Sequence, residues 1–376
     1  MKDLHILVIG AGIAGLALGR LLGRRHNVRI VEKAESLHTS GTGLMLGINA
    51  MQVLQRMNLA GEVKSKGREL DRFVISDHRD RPLSTLQFSK QVHARGLGLY
   101  SIHRSRLSEI LFQGLEPHTS FNASVRGLRE DARGVHAEFS DGTSESYDLV
   151  IGADGSYSRT RRLLAPDARL RYSGYTCWRF MIASGQHDKP VEMWGRGQRI
   201  GIVPLNEGET YVFLLVNARP AAEDLNTFEP ARMKQAFAYF RGIAPEILGR
   251  LENARVRVHN DLFDLPTPVL GSRRILLAGD AAHAATPNMG QGAGLAIEDA
   301  WVLSQTIDLA DGIEDIQTVY GNRRSARVKR IVKMSHNLGR VAHWESHAAT
   351  WLRNRLLALI PDSVNTRHME SLLLNF

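Results

Sequence analysis

The stretch His5-Ile-Leu-Val-Ile-Gly10-Ala-Gly-Ile-Ala-Gly15 joins a short apolar run to three glycines. The apolar run predicts a strand, and the apolar residues of 13–22 recur at helical spacing. Gly10 permits a tight turn, Gly12 lets backbone N–H groups approach a pyrophosphate, and Gly15 lets the helix pack against the strand. The stretch therefore predicts the dinucleotide-binding turn of a Rossmann-like α/β domain. The alternative is an ordinary strand–turn–helix.

An acidic residue follows at the spacing that such a turn requires. Residues 28–31 predict a second strand that ends at Glu32, 20 positions after Gly12. A carboxylate there can accept hydrogen bonds from both ribose hydroxyls of a dinucleotide. It would repel a 2′-phosphate, so the site favours FAD or NAD over NADP.

A second glycine-rich segment lies about 270 residues later. Residues 279–294 read Gly-Asp-Ala-Ala-His-Ala-Ala-Thr-Pro-Asn-Met-Gly-Gln-Gly-Ala-Gly and follow a predicted strand at 274–278. Together the two segments indicate one long, charged, redox-active ligand that is bound from both ends of the sequence.

Composition restricts the class of protein. Hydrophobic residues make up 43% and charged residues 23% of the 376 residues, which is ordinary for a globular enzyme of two domains. The single cysteine, Cys177, forbids an internal disulfide, argues against a metal site, and implies a reducing, cytoplasmic compartment. The net charge of +9 comes without a recognisable nucleic-acid module, so we expect attraction to anionic cofactors, substrates or lipid surfaces and no nucleic-acid partner.

The order of predicted elements indicates a discontinuous cofactor domain. Strand and turn signals place residues 1–71, 99–166 and 269–320 in the Rossmann-like domain. Residues 72–98 and 167–268 form an inserted antiparallel-sheet domain for the substrate, in which 230–251 is predicted to be a helix. Residues 321–376 form a C-terminal helical region.

Four motifs give the chain a family resemblance. Residues 10–15, His103-Arg104 with Leu107, residues 152–155, and Gly279-Asp280 with Pro287 occur in the order found in single-component flavoprotein aromatic hydroxylases. The resemblance covers nearly the whole length. It implies FAD as prosthetic group, NADH or NADPH as reductant, and O2 as co-substrate. It also implies hydroxylation of an electron-rich aromatic or heteroaromatic small molecule through a flavin C4a-hydroperoxide.

Within that family, several segments look closest to the bacterial 2-alkyl-4-quinolone 3-hydroxylases of quorum-signal biosynthesis. This similarity implies an alkylquinolone substrate and a role in secondary metabolism. The segments are residues 176–179, 194–197, 258–262 and 351–354.

The resemblance also implies which residues contact FAD. Asp280 would hold the ribityl hydroxyls, although a helix N-cap is a compatible role, and Arg104 could instead form a surface salt bridge. Asp154 could be a buried turn aspartate. The implied set is Gly10, Gly12, Ala14, Gly15, Glu32, Lys33, Gly43, Arg104, Val125, Asp154, Gly155, Asp280, Pro287, Gly290, Gln291, Gly292 and Ala293.

Candidate substrate residues lie in the inserted sheet. Arg199 and Tyr211 resemble substrate-facing positions of urate-type hydroxylases, the alternative being a cross-strand pair on a solvated face. Arg179 follows Trp178 in a segment that could pass near the flavin. For His283, we favour a hydrogen-bonded buried histidine over a proton shuttle.

The C-terminal region leaves two interpretations open. Its apolar residues recur near helical spacing, as in a lid helix over the substrate domain or in a helix that makes a weak membrane-surface contact. These residues are Trp344, Ala348, Trp351, Leu352, Leu356 and Leu359. Rival functions on the same cofactor fold are an epoxidase, a halogenase, a dehydrogenase and a flavin-binding sensor without turnover. The Trp-x-Trp-x-Ile-Pro signature of halogenases is absent from the sequence.

Overall fold

The computed structural model describes residues 3–37, 41–183, 188–222 and 229–376. In chain order, the strands are β1 (His5–Ile9), β2 (Asn27–Val31), β3 (Gly43–Leu46), β4 (Arg68–Leu70), β5 (Phe73–Asp77), β6 (Pro82–Leu86), β7 (Leu99–His103), β8 (Thr119–Ser120), β9 (Val125–Glu130), β10 (Val135–Phe139), β11 (Ser144–Tyr147), β12 (Leu149–Gly152), β13 (Arg171–Ala183), β14 (Val191–Trp194), β15 (Gln198–Pro204), β16 (Glu209–Asn217), β17 (Val256–Asp264), β18 (Gly271–Ser272) and β19 (Ile275–Leu277). The helices are α1 (Ile13–Leu22), α2 (Ile48–Arg56), α3 (Ala60–Lys66), α4 (Lys90–Ala94), α5 (Arg104–Phe112), α6 (Arg159–Leu164), α7 (Pro230–Ala236), α8 (Ala244–Gly249), α9 (Asp280–His283), α10 (Gly292–Leu309), α11 (Ile313–Ala342), α12 (His347–Leu359) and α13 (Asp362–Leu374).

A six-stranded sheet carries the first glycine turn. Its strand order is β18-β19-β12-β1-β2-β8, and its pairings are parallel except β18 with β19. Along β1, Ile6 and Val8 pack into one apolar cluster while Leu7 and Ile9 pack into another. Both faces of the sheet are therefore covered, as is usual for parallel sheets. The predicted α/β class and its Rossmann-like sheet are confirmed.

A seven-stranded sheet forms a second layer, in the order β17-β13-β16-β15-β14-β5-β6. Its pairings are antiparallel except that of β14 with β5, so the predicted antiparallel sheet contains one parallel junction. One face packs against α7 and α8 around Trp178, Phe180 and Phe237. Because side chains alternate along a strand, Tyr175, Cys177 and Arg179 of β13 lie on the other face.

The predicted helix over 230–251 was wrong. The structure has two short helices, α7 and α8, and a 3-10 turn at Leu251–Asn253. Helix α7 ends at Ala236 with Phe237 as its cap, and Gly242, whose φ of +62° is not helical, lies between it and α8. The apolar periodicity of the segment continues across the break, which is why the pattern indicated one helix.

Two smaller sheets and the C-terminal helices complete the fold. The sheet β3-β7-β4 and the meander β9-β10-β11 flank the six-stranded sheet. Helix α11 packs along α10, α12 packs on β6, and α13 packs on β6 and α2. Across the described residues, we find no helix with both the length and the apolar character needed to span a bilayer.

Candidate functional site

The two glycine-rich turns meet in space. Gly279 has a φ of +60°, and a Cβ added there would lie 3.0 Å from Cβ of Ala14 and 3.3 Å from Cβ of Ala296. Only glycine therefore lets α1 and α10 approach this closely. Segments 270 residues apart in the chain thus form one surface at the carboxyl edge of the parallel sheet, as the sequence predicts for a shared ligand.

The three glycines of the first turn have different roles. A Cβ at Gly10, where φ is +108°, would lie 2.6 Å from the carbonyl oxygen of Ala153, and one at Gly15 would lie 1.8 Å from the carbonyl oxygen of Gly10. These two glycines are required by the packing of the protein itself. At Gly12, by contrast, no atom lies within 4 Å of an added Cβ. This open space is at the amino end of α1, where backbone N–H groups and the helix dipole favour a phosphate.

Glu32 is held at the edge of this space. Its Oε2 accepts a hydrogen bond of 2.8 Å from the Ala11 N–H, and its Oε1 accepts one of 3.0 Å from the Ala34 N–H. The backbone N–H of Ala123 donates to the Glu32 carbonyl at 2.9 Å, which brings the start of β9 at Val125 alongside. Lys33 is exposed next to them.

The middle of the site contains Asp280 and the turn at Gly155. Asp280 is exposed, and its carboxylate accepts a hydrogen bond of 3.0 Å from Ser156 Oγ. Gly155 has a φ of +78°, and an added Cβ there would meet no atom within 4 Å. Arg161 joins these parts, since it donates to the carbonyl of Ser156 at 2.6 Å and to that of Ala281 at 2.9 Å. Sequence reasoning missed Arg161, although the basic run 159–162 follows directly after the Gly155 motif.

Asp154 is engaged by its own turn. Its carboxylate accepts hydrogen bonds from Ser158 Oγ at 2.5 Å and from the Thr160 N–H at 3.0 Å, at the start of α6. These contacts match the alternative role of a turn aspartate.

The far end of the site is a turn that leads into α10. Pro287 begins a 3-10 turn, Gly290 follows with a φ of +61°, and Gln291 precedes the first helical residue, Gly292. An added Cβ at Gly292 would find only the carboxylate of Asp280, at 4.0 Å. Ala293 lies in the first turn of the helix. The amino end of α10 therefore also faces open space beside Asp280.

A buried ionic network supports the turn that leads into α10. Arg324 donates to Asp299 at 2.7 Å and to Glu298 at 2.8 Å, and His283 contacts Asp299 at 2.5 Å. Burial alone would raise the pKa of Asp299, but His283 and Arg324 outweigh it and lower that pKa to about 2. Asp299 also accepts a hydrogen bond of 2.8 Å from the Gly279 N–H. His283 is thus a hydrogen-bonded buried histidine.

Asn49 connects the network to the turn that leads into α10. Its amide donates to Gln291 Oε1 at 2.9 Å and to Glu298 Oε1 at 2.6 Å. Sequence reasoning missed Asn49, and no local motif marks it, because its partners lie more than 240 positions later.

Tyr211 and Gly43 come together where the seven-stranded sheet faces this site. A Cβ at Gly43 would lie 2.6 Å from Cβ of Tyr211. The exposed Arg104 begins α5 nearby, with its N–H bonded to the Thr42 carbonyl at 3.0 Å. Burial raises the pKa of Tyr211, while the adjacent Arg179 guanidinium opposes that rise. Arg179 also donates to Asn260 Oδ1 at 2.9 Å.

Arg199 does not lie with Tyr211. In the strand register Arg199 is paired with Leu215 and Tyr211 with Val203. The two residues are therefore separated by four positions along the strands, or about 13 Å. Arg199 is 2% exposed, so it is not part of a solvated cross-strand pair.

The Arg199 guanidinium is fully engaged inside the protein. It contacts Glu192 at 2.8 Å, Asn288 at 2.7 Å and His343 at 2.9 Å. Asn288 in turn donates to the Tyr175 hydroxyl at 2.8 Å. Arg199 thereby links the sheet and α11 to the turn that begins at Pro287. Sequence reasoning missed this link.

An apolar wall lies between these two ends of the sheet face. It consists of Tyr175, Cys177, Leu215 and Leu262, with Phe213 packed against them. The Phe213 ring covers Gly201, where an added Cβ would lie 1.8 Å from the ring. Among the residues that the structure describes, no group of histidine, cysteine, aspartate and glutamate side chains is arranged to hold a metal ion.

Comparisons with known proteins agree with this geometry. A family model described as an FAD binding domain matches residues 3–335. The 2-heptyl-3-hydroxy-4(1H)-quinolone synthase of Pseudomonas aeruginosa is 35% identical over 368 residues, 96% of each chain. The aurachin C monooxygenase/isomerase of Stigmatella aurantiaca is 32% identical over 377 residues, 98% of each chain.

A solved structure has the same fold. Klebsiella pneumoniae HpxO, crystallised with FAD and uric acid, superposes with a TM-score of 0.89 at 23% identity, covering 99% of this chain and 97% of that one. The open spaces at Gly12, Gly155 and Gly292 and the exposed carboxylate of Asp280 fit an extended dinucleotide. The chain therefore belongs to the family of FAD-dependent aromatic hydroxylases, and it is a flavoprotein monooxygenase that acts on an aromatic or heteroaromatic small molecule.

Proposed function

We propose that FAD lies across the two glycine-rich turns, with its adenosine end near Glu32 and Val125 and its ring near Gly290 and Gly292. The contact between α1 and α10 at Gly279 supports this orientation, because it aligns both helix amino ends. Bound FAD would supply the redox chemistry and the activation of O2. In this arrangement the FAD-binding unit comprises residues 1–71, 99–166 and 269–320, the substrate unit comprises 72–98 and 167–268, and 321–376 is a helical extension.

The substrate that the site favours is a heteroaromatic ring with an alkyl chain, of the alkylquinolone type. The observation that carries this proposal is the position of the polar pair Arg179 and Tyr211 beside the apolar wall on one sheet face. The polar pair suits a ring with an ionisable oxygen, and the wall suits an alkyl chain. The similarity to the quinolone synthase of P. aeruginosa points to the same class.

The two polar side chains would raise the electron density of the ring. Because burial raises its pKa, the Tyr211 hydroxyl stays protonated and can donate a hydrogen bond to a ring oxygen. The Arg179 guanidinium stays charged, so together they stabilise the anionic form of the ring. That form is the better nucleophile towards an electrophilic oxygen. The apolar wall excludes water from the same space. Arg199, which contacts no open space, would be a positioning residue that acts through Asn288.

Turnover of the FAD-loaded enzyme tests the substrate class. We expect NADH or NADPH oxidation and O2 uptake to rise with a 2-alkyl-4-quinolone, and the product to gain one oxygen atom in mass. An unsubstituted quinolone should bind more weakly because it has no alkyl chain to contact the apolar wall, and urate should not be turned over. Parallel assays with NADH and NADPH identify the reductant.

Variants separate the roles of the two polar side chains. Tyr211→Phe and Arg179→Met should each lower kcat/KM by about tenfold to a hundredfold, the range of one lost hydrogen bond or charge contact. The control Val216→Ala, on the same strand as Tyr211, should change kcat/KM little.

A product that gains a halogen or loses two hydrogens would indicate a halogenase or a dehydrogenase. An oxygenated product in which a double bond has become an oxirane would indicate an epoxidase. Bound flavin without turnover of any aromatic would indicate a sensor.

A lipophilic substrate of this class would partition into membranes. A weak membrane-surface contact through the C-terminal helices of a cytoplasmic enzyme would suit it. FAD, O2, NAD(P)H and the substrate are the partners that the proposed chemistry requires.

A further inference from the structure

Helix α12 turns its apolar residues outward. The side chains of Trp351, Leu352, Leu356 and Leu359 are 64%, 47%, 52% and 74% exposed. The buried residues of this helix are polar, namely Thr350 and Arg353. We call the exposed set, with Ile360 at 40%, the apolar face. These residues do not cover the substrate sheet, so a lid does not account for them.

Helix α12 is held in this orientation by a buried cation. The Arg353 guanidinium donates to the carbonyls of Ala342 at 2.7 Å and Gly195 at 3.1 Å, and it lies over the Trp194 ring at 5.4 Å. The outward direction of the apolar face is therefore fixed by specific contacts with the sheet.

The C-terminal region that carries the apolar face is strongly basic. Residues 321–376 contain ten lysines and arginines but three acidic residues. Arg355 lies against the exposed ring of Trp351, 5.8 Å from its centroid. On α11, Lys329, Arg330 and Lys333 are exposed. The nearby acid Glu345 is engaged by the Asn217 amide at 2.6 Å.

A basic pocket opens at the start of this region. It has a volume of about 570 Å³ and is lined in part by Arg219, Arg340 and the exposed Trp344. Within the described residues, neither guanidinium has a hydrogen bond or an ion pair, and the buried Oγ of Ser173 in the same pocket has no partner. Two cations and a free hydroxyl beside an indole suit the phosphate of a lipid headgroup.

We propose that the apolar face and its basic surroundings dock this enzyme on an anionic phospholipid surface. Trp351, Leu352 and Leu359 would enter the boundary between headgroups and acyl chains, and the exposed arginines and lysines would contact the headgroups. A second copy of the chain is a poorer occupant, because two strongly basic surfaces would face each other across a symmetric interface. Docking requires neither Arg179 nor Tyr211, and the basic pocket shares only Tyr175 with the apolar wall, so docking can be tested apart from the quinolone proposal.

Vesicle flotation of the FAD-loaded full chain tests the apolar contribution. We expect the protein to float with phosphatidylcholine vesicles that contain phosphatidylglycerol. The triple variant Trp351→Ser, Leu352→Ser, Leu359→Ser should lose at least about tenfold in affinity. The matched control replaces three exposed apolar residues elsewhere, Leu163, Leu309 and Val319, with serine and should float like the wild type. Equal loss in both triple variants would overturn the proposal, as would a wild type that does not float.

A second variant tests the charge. Arg219→Gln with Arg340→Gln should weaken flotation with the anionic vesicles and leave the residual binding to pure phosphatidylcholine unchanged, and high salt should act in the same direction. Sedimentation of the wild type without lipid tests the rival occupant. A concentration-dependent dimer that the triple serine variant of the apolar face abolishes would assign this face to a second copy and overturn the proposal. Turnover of a water-dispersed substrate is measured beside flotation, so a failed substrate assignment and a failed docking assignment are distinguished.

Discussion

Gly12 differs from its neighbouring glycines because the space beside it is empty. Gly12→Ala should therefore fold normally, since its φ of −80° suits any residue and its Cβ meets nothing within 4 Å. The new methyl group would stand where we propose that the pyrophosphate approaches α1. We expect FAD affinity to fall by at least about tenfold, measured by the quenching of flavin fluorescence, while the apoprotein melts at the wild-type temperature.

Two other glycines make this prediction specific. Gly61 in α3 also has open space, so Gly61→Ala should leave both FAD affinity and folding intact. Gly15→Ala should destabilise the apoprotein itself, because its Cβ would lie 1.8 Å from a backbone oxygen. FAD affinity that is equal in the Gly12 and Gly61 variants would refute the proposed pyrophosphate position.

At Arg199 the structure predicts a loss of stability. Arg199→Met leaves the buried Glu192 carboxylate without its cation, and breaking a buried ion pair costs about 3–5 kcal/mol. Urea unfolding measures this loss. In Arg179→Met, the control on β13, we expect a higher KM at little cost in stability. Were Arg199 a substrate contact, its variant would instead keep its stability and raise KM.

The residues that sequence reasoning identifies are those with a local cause. Gly10, Gly12, Gly15 and Glu32 lie in one βαβ unit, and each has a geometric reason that spacing alone expresses. The contacts of Arg199 come from β14, the residue that caps α11 and the turn at Pro287, so no spacing along the chain indicates them. The sequence shows that Arg199 is an arginine on a predicted strand, but its partners depend on how the elements pack together.

At the scale of elements, Arg353 decides whether α12 stays on the sheet. Its hydrogen bonds to the carbonyls of Ala342 and Gly195 are charge-assisted, and such bonds contribute about 1.5–3 kcal/mol each. Burial lowers the pKa of Arg353 to about 10, which still leaves it charged at neutral pH. In Arg353→Met we expect chymotrypsin to cleave after Trp344 at least about tenfold faster.

Arg355→Met is the matched control, two residues later on the same helix. Arg355 is exposed and contacts only the ring of Trp351 among the described residues, so its loss should leave the cleavage rate unchanged. If both variants were cleaved at the same rate, the buried contacts would not be what holds α12. The helical periodicity of this segment was visible in the sequence. Its direction was not, because an apolar stripe ordinarily faces inward.

The whole molecule is held together by contacts between distant parts of the chain. The network of His283, Asp299 and Arg324 ties the cofactor turn to α10 and α11, and Arg199 with His343 ties the sheet to the end of α11. The order of the glycine motifs predicted the discontinuous cofactor sheet, since each motif marks the end of a parallel strand. It could not predict the joint between the sheets. This joint consists of the contacts of Arg199 in β15 with His343 at the end of α11 and with Asn288 in the turn at Pro287.

That joint makes stability depend on pH. Burial lowers the pKa of His343 well below its usual 6.5, and the guanidinium of Arg199 lowers it further. Below pH 6.5 His343 is protonated in the unfolded chain but stays neutral in the folded protein. The contribution of His343 to the free energy of unfolding is therefore full above pH 6.5 and decreases as the pH falls below it. Four other histidines have lowered pKa values and add to the same trend: His26, His78, His259 and His336.

His343→Gln should flatten this dependence. A glutamine can accept the hydrogen bond from Arg199 and donate one to Asn217, but it binds no proton. Thermal unfolding of both proteins between pH 7.5 and 5.5 should show a steeper fall for the wild type. The control His347→Gln, at an exposed histidine of α12, should follow the wild-type curve. Parallel curves for the wild type and His343→Gln would mean that the joint between the sheets does not contribute to acid sensitivity.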